Sequence, residues 1–169
     1  KGLGQIISDS TGMRRNVNMT FEQYKKRKEA IAGWYDTYVN ETYTKLSRFG
    51  HLMEYHLNKS DRYLMGRCKR IHKNTSSFVG TPEDVMALIR GCLLENREEL
   101  IEYLANEEDT EPWELVGVIH GNITGKVITT SPEHDWKQGA LPCSEYLISI
   151  KKDPHAANHF VITSAYPFF

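Results

Sequence analysis

The chain has 169 residues, 40% of them hydrophobic and 25% charged, with 12 glycines and 6 prolines. This is the size and make-up of one globular domain, or of one domain with an extension. Collagen, coiled coil and bulk disorder are excluded, and no apolar run approaches the length of a membrane-crossing helix. The net charge of −1 conceals an asymmetry: residues 1–80 carry 15 Lys and Arg against 7 Asp and Glu, residues 81–169 carry 6 against 15. A basic half of this kind suits a polyanionic partner. The chain starts at Lys1 without a secretory leader pattern, as expected of a piece of a longer precursor or of a chain without its initiator methionine. Cys68, Cys92 and Cys143 are odd in number, far apart and outside any CxxC, so neither a disulfide framework nor a zinc site is expected.

Residues 1–19 are polar and read as a lead-in. Thr20 is a candidate N-cap for a helical pattern over residues 21–48, in which Ile31, Trp34, Tyr35, Tyr38 and Val39 recur at spacings of three and four. Gly33 is a candidate break. The run Lys25-Lys26-Arg27-Lys28 has two readings, a solvated helix face or a phosphate-binding patch. A second helical pattern covers residues 51–71, interrupted at Asn58-Lys59-Ser60-Asp61, where Ser60 or Asp61 can cap a new helix. Residues 72–80 read as a short strand or loop. Thr81-Pro82-Glu83-Asp84 is a helix start with its cap, first-turn proline and acids in place. Helices to about Leu94 and over 97–104 follow, then an acidic loop. From Trp113 onward the runs 113–120, 124–130, 144–151 and 159–165 are β-branched, aromatic or alternating, with Gly121-Asn122 as a hairpin signal between the first two. Helices first and strands afterwards predict an α+β fold with a C-terminal antiparallel sheet.

P-loop, GxGxxG, HExxH and GxSxG patterns are all absent, and no histidine pair has convincing metal-ligand spacing. The stretch His56–Arg67 is chemically the richest, placing an imidazole, Lys59, Arg62 and Arg67 close together. Histidine exchanges protons near neutrality, and arginine presents a planar fork to phosphate. RNA cleavage by its own 2′-hydroxyl needs both a base and a cation at the crowded phosphorus.

This stretch resembles the toxin domains at the C-termini of bacterial contact-dependent growth inhibition (CdiA-type) proteins, specifically their ribonuclease A-like class. The resemblance rests on Gly50-His51, on His56-Leu57-Asn58-Lys59-Ser60-Asp61 with Leu64 and Arg67, on Ile71 and Ser76-Ser77-Phe78, and on Ile162-Thr163-Ser164-Ala165-Tyr166-Pro167. It implies a kidney-shaped α+β ribonuclease domain over residues 50–169, preceded by a helical lead-in over 1–49. It implies catalytic roles for His56, Arg67, Ser164 and Tyr166, no metal and no cofactor. Where the family usually has Thr-x-Tyr this chain has Ser164-Ala165-Tyr166 with Thr163 adjacent. Strand alternation places Ser164 on the face of Tyr166 and Thr163 on the other. Lys59 and Thr163 are candidate phosphate contacts. His51, five residues before His56, would lie about 140° away on a continuous helix and is expected to be structural or to support the site without touching substrate. Tyr166, His159 or water would supply the acid. The implied partners are RNA and a cognate immunity protein, the catalytic domain otherwise being monomeric. The implied setting is a secreted or cell-surface precursor whose toxin acts in the target-cell cytoplasm. Rival readings are another delivered endoribonuclease, of the transfer-RNA anticodon or uridylate-specific type, and a non-catalytic RNA-binding module.

Overall fold

The computed structural model describes residues 20–169; the expected lead-in over 1–19 lies outside them. Helix α1 (Phe21–Thr42) opens with a capping box, Thr20 accepting from the Gln23 N–H and the Gln23 side chain accepting from the Thr20 N–H. It runs unbroken through Gly33. This glycine is exposed, while Ile31, Tyr35 and Val39 on the opposite face are fully buried, so tertiary packing overrides its weak helix propensity. A 3₁₀ turn (Leu46–Phe49) leads into α2 (Gly50–Tyr55), and Ser60 then caps α3 (Asp61–Ile71) by accepting from the Tyr63 N–H. Helices α4 (Pro82–Glu95) and α5 (Arg97–Ala105) follow, with Thr81 capping α4. None of the described helices is long and apolar enough to cross a membrane.

Among the described residues six strands form two antiparallel three-stranded sheets. One holds β1 (Thr75–Val79), β3 (Thr124–Ile128) and β4 (Leu141–Cys143) in the order β1-β3-β4. The other holds β2 (Trp113–Val118), β5 (Glu145–Lys152) and β6 (Phe160–Phe168) in the order β2-β5-β6. The hairpin expected between the strands flanking Gly121-Asn122 does not form. The turn exists, with Gly121 at φ 77°, but it carries the chain from one sheet to the other. The Ile119 N–H donates to the Ser144 carbonyl at 2.8 Å, so β2 stays bound along β5 up to the turn, while β3 is taken by β1 and β4. The sheets meet where Gly125 approaches Pro167. A Cβ on Gly125 would stand 2.6 Å from Ile119 Cδ1 and 3.1 Å from Pro167 Cβ, so a larger residue there would make Ile119 shift.

One apolar cluster joins Ile31, Tyr35 and Val39 of α1 to Ile89 and Leu93 of α4, Leu100 of α5, Ile148 of β5 and Phe160 of β6. The helix expected to be a lead-in therefore shares its core with the rest of the domain. Its tyrosines also reach across it: Tyr35 donates to the Leu93 carbonyl at 2.9 Å, and Tyr38 and Tyr43 both donate to the Phe160 carbonyl. The basic run is largely engaged. Arg27 donates to the Leu104 and Ala105 carbonyls ending α5 and pairs with Glu107, and Lys28 pairs with Glu102.

Candidate active site

The His56-Leu57-Asn58-Lys59 segment is stitched to β1. Phe78 N–H donates to the His56 carbonyl, Asn58 N–H donates to the Phe78 carbonyl, and Lys59 N–H donates to Ser77 Oγ. Asn58 adopts a left-handed conformation, φ 53°, and its side-chain amide clamps both backbone groups of Gly80. His56 itself ends α2, at φ −132°. Its ring is 6% exposed, and Nδ1 lies 2.9 Å from the Ser76 carbonyl oxygen. A carbonyl only accepts, so the proton of the neutral ring is on Nδ1 and the lone pair is on Nε2. Burial pushes the pKa of His56 down to about 4; His51, Arg67 and Lys59 push the same way and the Ser76 carbonyl opposes. At neutral pH the ring is an uncharged base of fixed tautomer.

A cleft of about 590 Å³ opens beside this ring, lined by His51, His56, Arg67, Lys73, Ser76 and Tyr166 among others, with no Asp or Glu side chain in its wall among the described residues. The Tyr166 ring centroid is 5.3 Å from that of His56. Burial first, and Glu114 second, raise the phenol pKa, so Tyr166 keeps its proton and can donate. Arg67 projects from α3, which is fixed by Thr75 donating to the Leu64 carbonyl and by Asp61 pairing with Lys126 and accepting from the Ala140 N–H. The guanidinium carbon of Arg67 stands 4.2 Å from the Tyr55 ring centroid. No hydrogen bond or ion pair engages it among the described residues, which leaves its donor fork for a ligand.

His51 stands nearer His56 than a continuous helix would place it. Helix α2 stops at Tyr55 and His56 has left helical geometry, so the angular spacing of a continuous helix does not apply. The two imidazole centroids lie 5.1 Å apart, and His51 also packs against Tyr55 at 4.9 Å. The Gly50-His51 pair was visible as a motif; what the sequence could not supply was the helix end between the two histidines.

The remaining candidates lie outside the cleft wall. Lys59 stands over the Tyr63 ring at 5.1 Å. His159, weighed as an acid, stacks on Trp34 at 4.4 Å, seven residues up β6 from Tyr166 and so about 20 Å along the strand. His134 is structural: Nδ1 accepts from the Thr129 N–H and Nε2 donates to the Gly139 carbonyl. Register shifts in β6, where Ser149 pairs with Ser164 and Ile150 with Ile162, leaving Thr163 as the extra residue of a bulge. Thr163 spends its hydroxyl on the Ser149 carbonyl at 3.1 Å. Ser164 and Tyr166 stand opposite Ser149 and Leu147, two residues apart on β5, and therefore share a face. We expect Ser164→Ala to lower RNA cleavage by about tenfold, the value of one hydrogen bond to a charged group. Thr163→Ala should stay within a few-fold of wild type. Initial rates on one RNA check both, and the reverse order would reject Ser164 as the functional hydroxyl.

Fold and cleft together define an α+β domain with a histidine- and arginine-lined cleft. The family described as the bacterial CdiA-CT RNase A domain matches residues 50–167, and the chain belongs to that family. Among solved structures the chain is similar to the crystal structure of a CdiA-CT/CdiI complex from Y. kristensenii 33638, with a TM-score of 0.56 and 20% identity, covering 70% of this chain and 99% of that one. This likeness is one of fold. No match was found among curated proteins.

Proposed function

We propose that the protein is an antibacterial toxin domain that cleaves RNA by metal-independent attack of the 2′-hydroxyl, leaving a 2′,3′-cyclic phosphate and a 5′-hydroxyl. The observation that carries this reading is the buried His56 ring, its tautomer set by the Ser76 carbonyl, beside the unengaged Arg67 fork and the Tyr166 phenol in one cleft. Nε2 of His56 takes the 2′-hydroxyl proton. Arg67 holds the phosphate and stabilises the charge that grows on its oxygens in the transition state. Tyr166 donates to a phosphate oxygen, and Ser164 extends the same face toward the neighbouring nucleotide. Lys73 adds positive potential to the cleft. The binding-module reading is weakened because Arg27 and Lys28, in the basic run it would use, are held by α5 and the residues that follow it.

A domain of this family forms the C-terminal part of a larger CdiA protein. We place its action in the cytoplasm of the target cell. Its neutralisation falls to a small cognate immunity protein, a reading supported by the likeness in fold to a CdiA-CT/CdiI complex. Apart from such a complex the domain acts as a monomer.

Cleavage should persist in EDTA. Among the described residues the cleft wall offers histidines, Arg67 and Lys73 but no Asp or Glu side chain, a poor setting for the oxygen-ligated magnesium of many nucleases. Total RNA incubated with the purified chain and chelator should yield fragments with cyclic phosphate ends. Activity that disappears with EDTA and returns with magnesium would overturn the mechanism.

A further inference from the structure

Resting on the reading of His56 as the base, we propose that His51 is the general acid that protonates the 5′-oxygen leaving group. The two rings face one cleft with centroids 5.1 Å apart. That separation lets the two imidazoles address the attacking and the departing oxygen of one phosphorus. Their environments differ in the sense that separates acid from base. His56 is buried with Nδ1 committed to a carbonyl. His51 is exposed, and its ring makes no hydrogen bond among the described residues, so both nitrogens are available to substrate and to solvent protons. Tyr55 packs against it, its ring tilted 50° to His51 at 4.9 Å and 4.2 Å from the Arg67 guanidinium carbon. The other candidates are weaker. His159 lies outside the cleft on Trp34, and the raised pKa of Tyr166 makes its phenol a poorer proton donor.

The step balances without a co-reactant. The 2′-hydroxyl proton passes to Nε2 of His56 as the O2′–P bond forms. The P–O5′ bond breaks, and the proton of the His51 imidazolium passes to O5′. His56 leaves the cycle protonated and His51 neutral, and solvent restores both. The groups that set the protonation of His51 are Glu54 on its own helix, which favours the charged form, and Arg67 on α3, which opposes it. His56, Lys73 and the Tyr166 phenol face it across the cleft. The partial loss of hydration at the cleft wall, and Arg67 after it, outweigh Glu54 and hold His51 below the ordinary imidazole value of 6.5. The acid must be protonated, so cleavage falls as pH rises through the His51 pKa. The base must be neutral, so cleavage falls as pH drops through that of His56.

The test is a leaving group that needs no proton. An RNA cut by the wild type is resynthesised with sulfur in place of O5′ at the mapped scissile bond. His51→Gln should lose about 10²–10⁴-fold on the oxygen RNA and only a few-fold on the sulfur RNA, whereas His56→Gln should be impaired on both. With wild-type protein, the alkaline limb of the kcat/KM profile should be present on oxygen RNA and absent on sulfur RNA, a comparison that needs no variant. Equal losses for His51→Gln on both substrates, no loss on either, or an unchanged alkaline limb would overturn the role of His51. A His56→Gln protein that cleaves both RNAs at the wild-type rate would instead sink the base assignment on which it rests.

Discussion

His56→Ala is expected to abolish RNA cleavage in a protein that still folds. A positioned base contributes about 10²–10⁴-fold, and no other cleft residue combines a buried neutral imidazole with a fixed tautomer. The substitution also orphans the Ser76 carbonyl, at a cost of about 1–3 kcal/mol, which corresponds to a fall in Tm of several degrees for a domain of this size. Circular dichroism and thermal melting separate that cost from the chemical one. Arg67→Ala should lower kcat more than RNA affinity, because its fork meets charge that develops only in the transition state. Full cleavage by a folded His56→Ala protein would remove the central residue of the proposed mechanism. A pH signature accompanies it. The folded pKa of His56 is about 4, below the ordinary 6.5, so between these values the unfolded chain binds more protons than the native one. Stability contributed by the neutral ring is therefore complete above about 6.5 and is lost as pH falls toward 4. His56→Gln should flatten that slope.

Removal of α1 is expected to unfold the domain, even though the family match begins at Gly50. Ile31, Tyr35 and Val39 are 0% exposed and Tyr43 is 1% exposed. Truncating one buried aromatic side chain costs about 3–5 kcal/mol, against about 5–15 kcal/mol for the whole of a domain's stability. Deleting the helix removes all four side chains and the hydroxyls that bind the Leu93 and Phe160 carbonyls. A chain beginning at Gly50 should show no cooperative melting transition. Tyr35→Ala should melt well below wild type, and Tyr35→Phe, which loses only a hydroxyl, by about 0.5–1.5 kcal/mol. A 50–169 chain with native melting and RNA cleavage would return the boundary to residue 49.

The helix starts were legible because caps act locally. Thr20, Ser60 and Thr81 each satisfy an N–H three residues ahead, a relation written in neighbouring residues. The order of helices before strands, and so the α+β class, followed from periodicity for the same reason. His56, Arg67 and Tyr166 were found through residue type, spacing and resemblance together, and they line one cleft. The pairing of β2 with β5 was not legible, because a turn signal states that the chain reverses and not which strand lies alongside it. The bulge at Thr163 and the entry of His51 into the cleft were hidden likewise. Each is decided by partners far off in sequence: the register with β5 for the bulge inside β6, and β1, which captures the backbone and ring of His56, for the end of α2. Residue chemistry and local conformation thus belong to the sequence alone, while side-chain direction at the site was settled by long-range hydrogen bonds and core packing that no local pattern encodes.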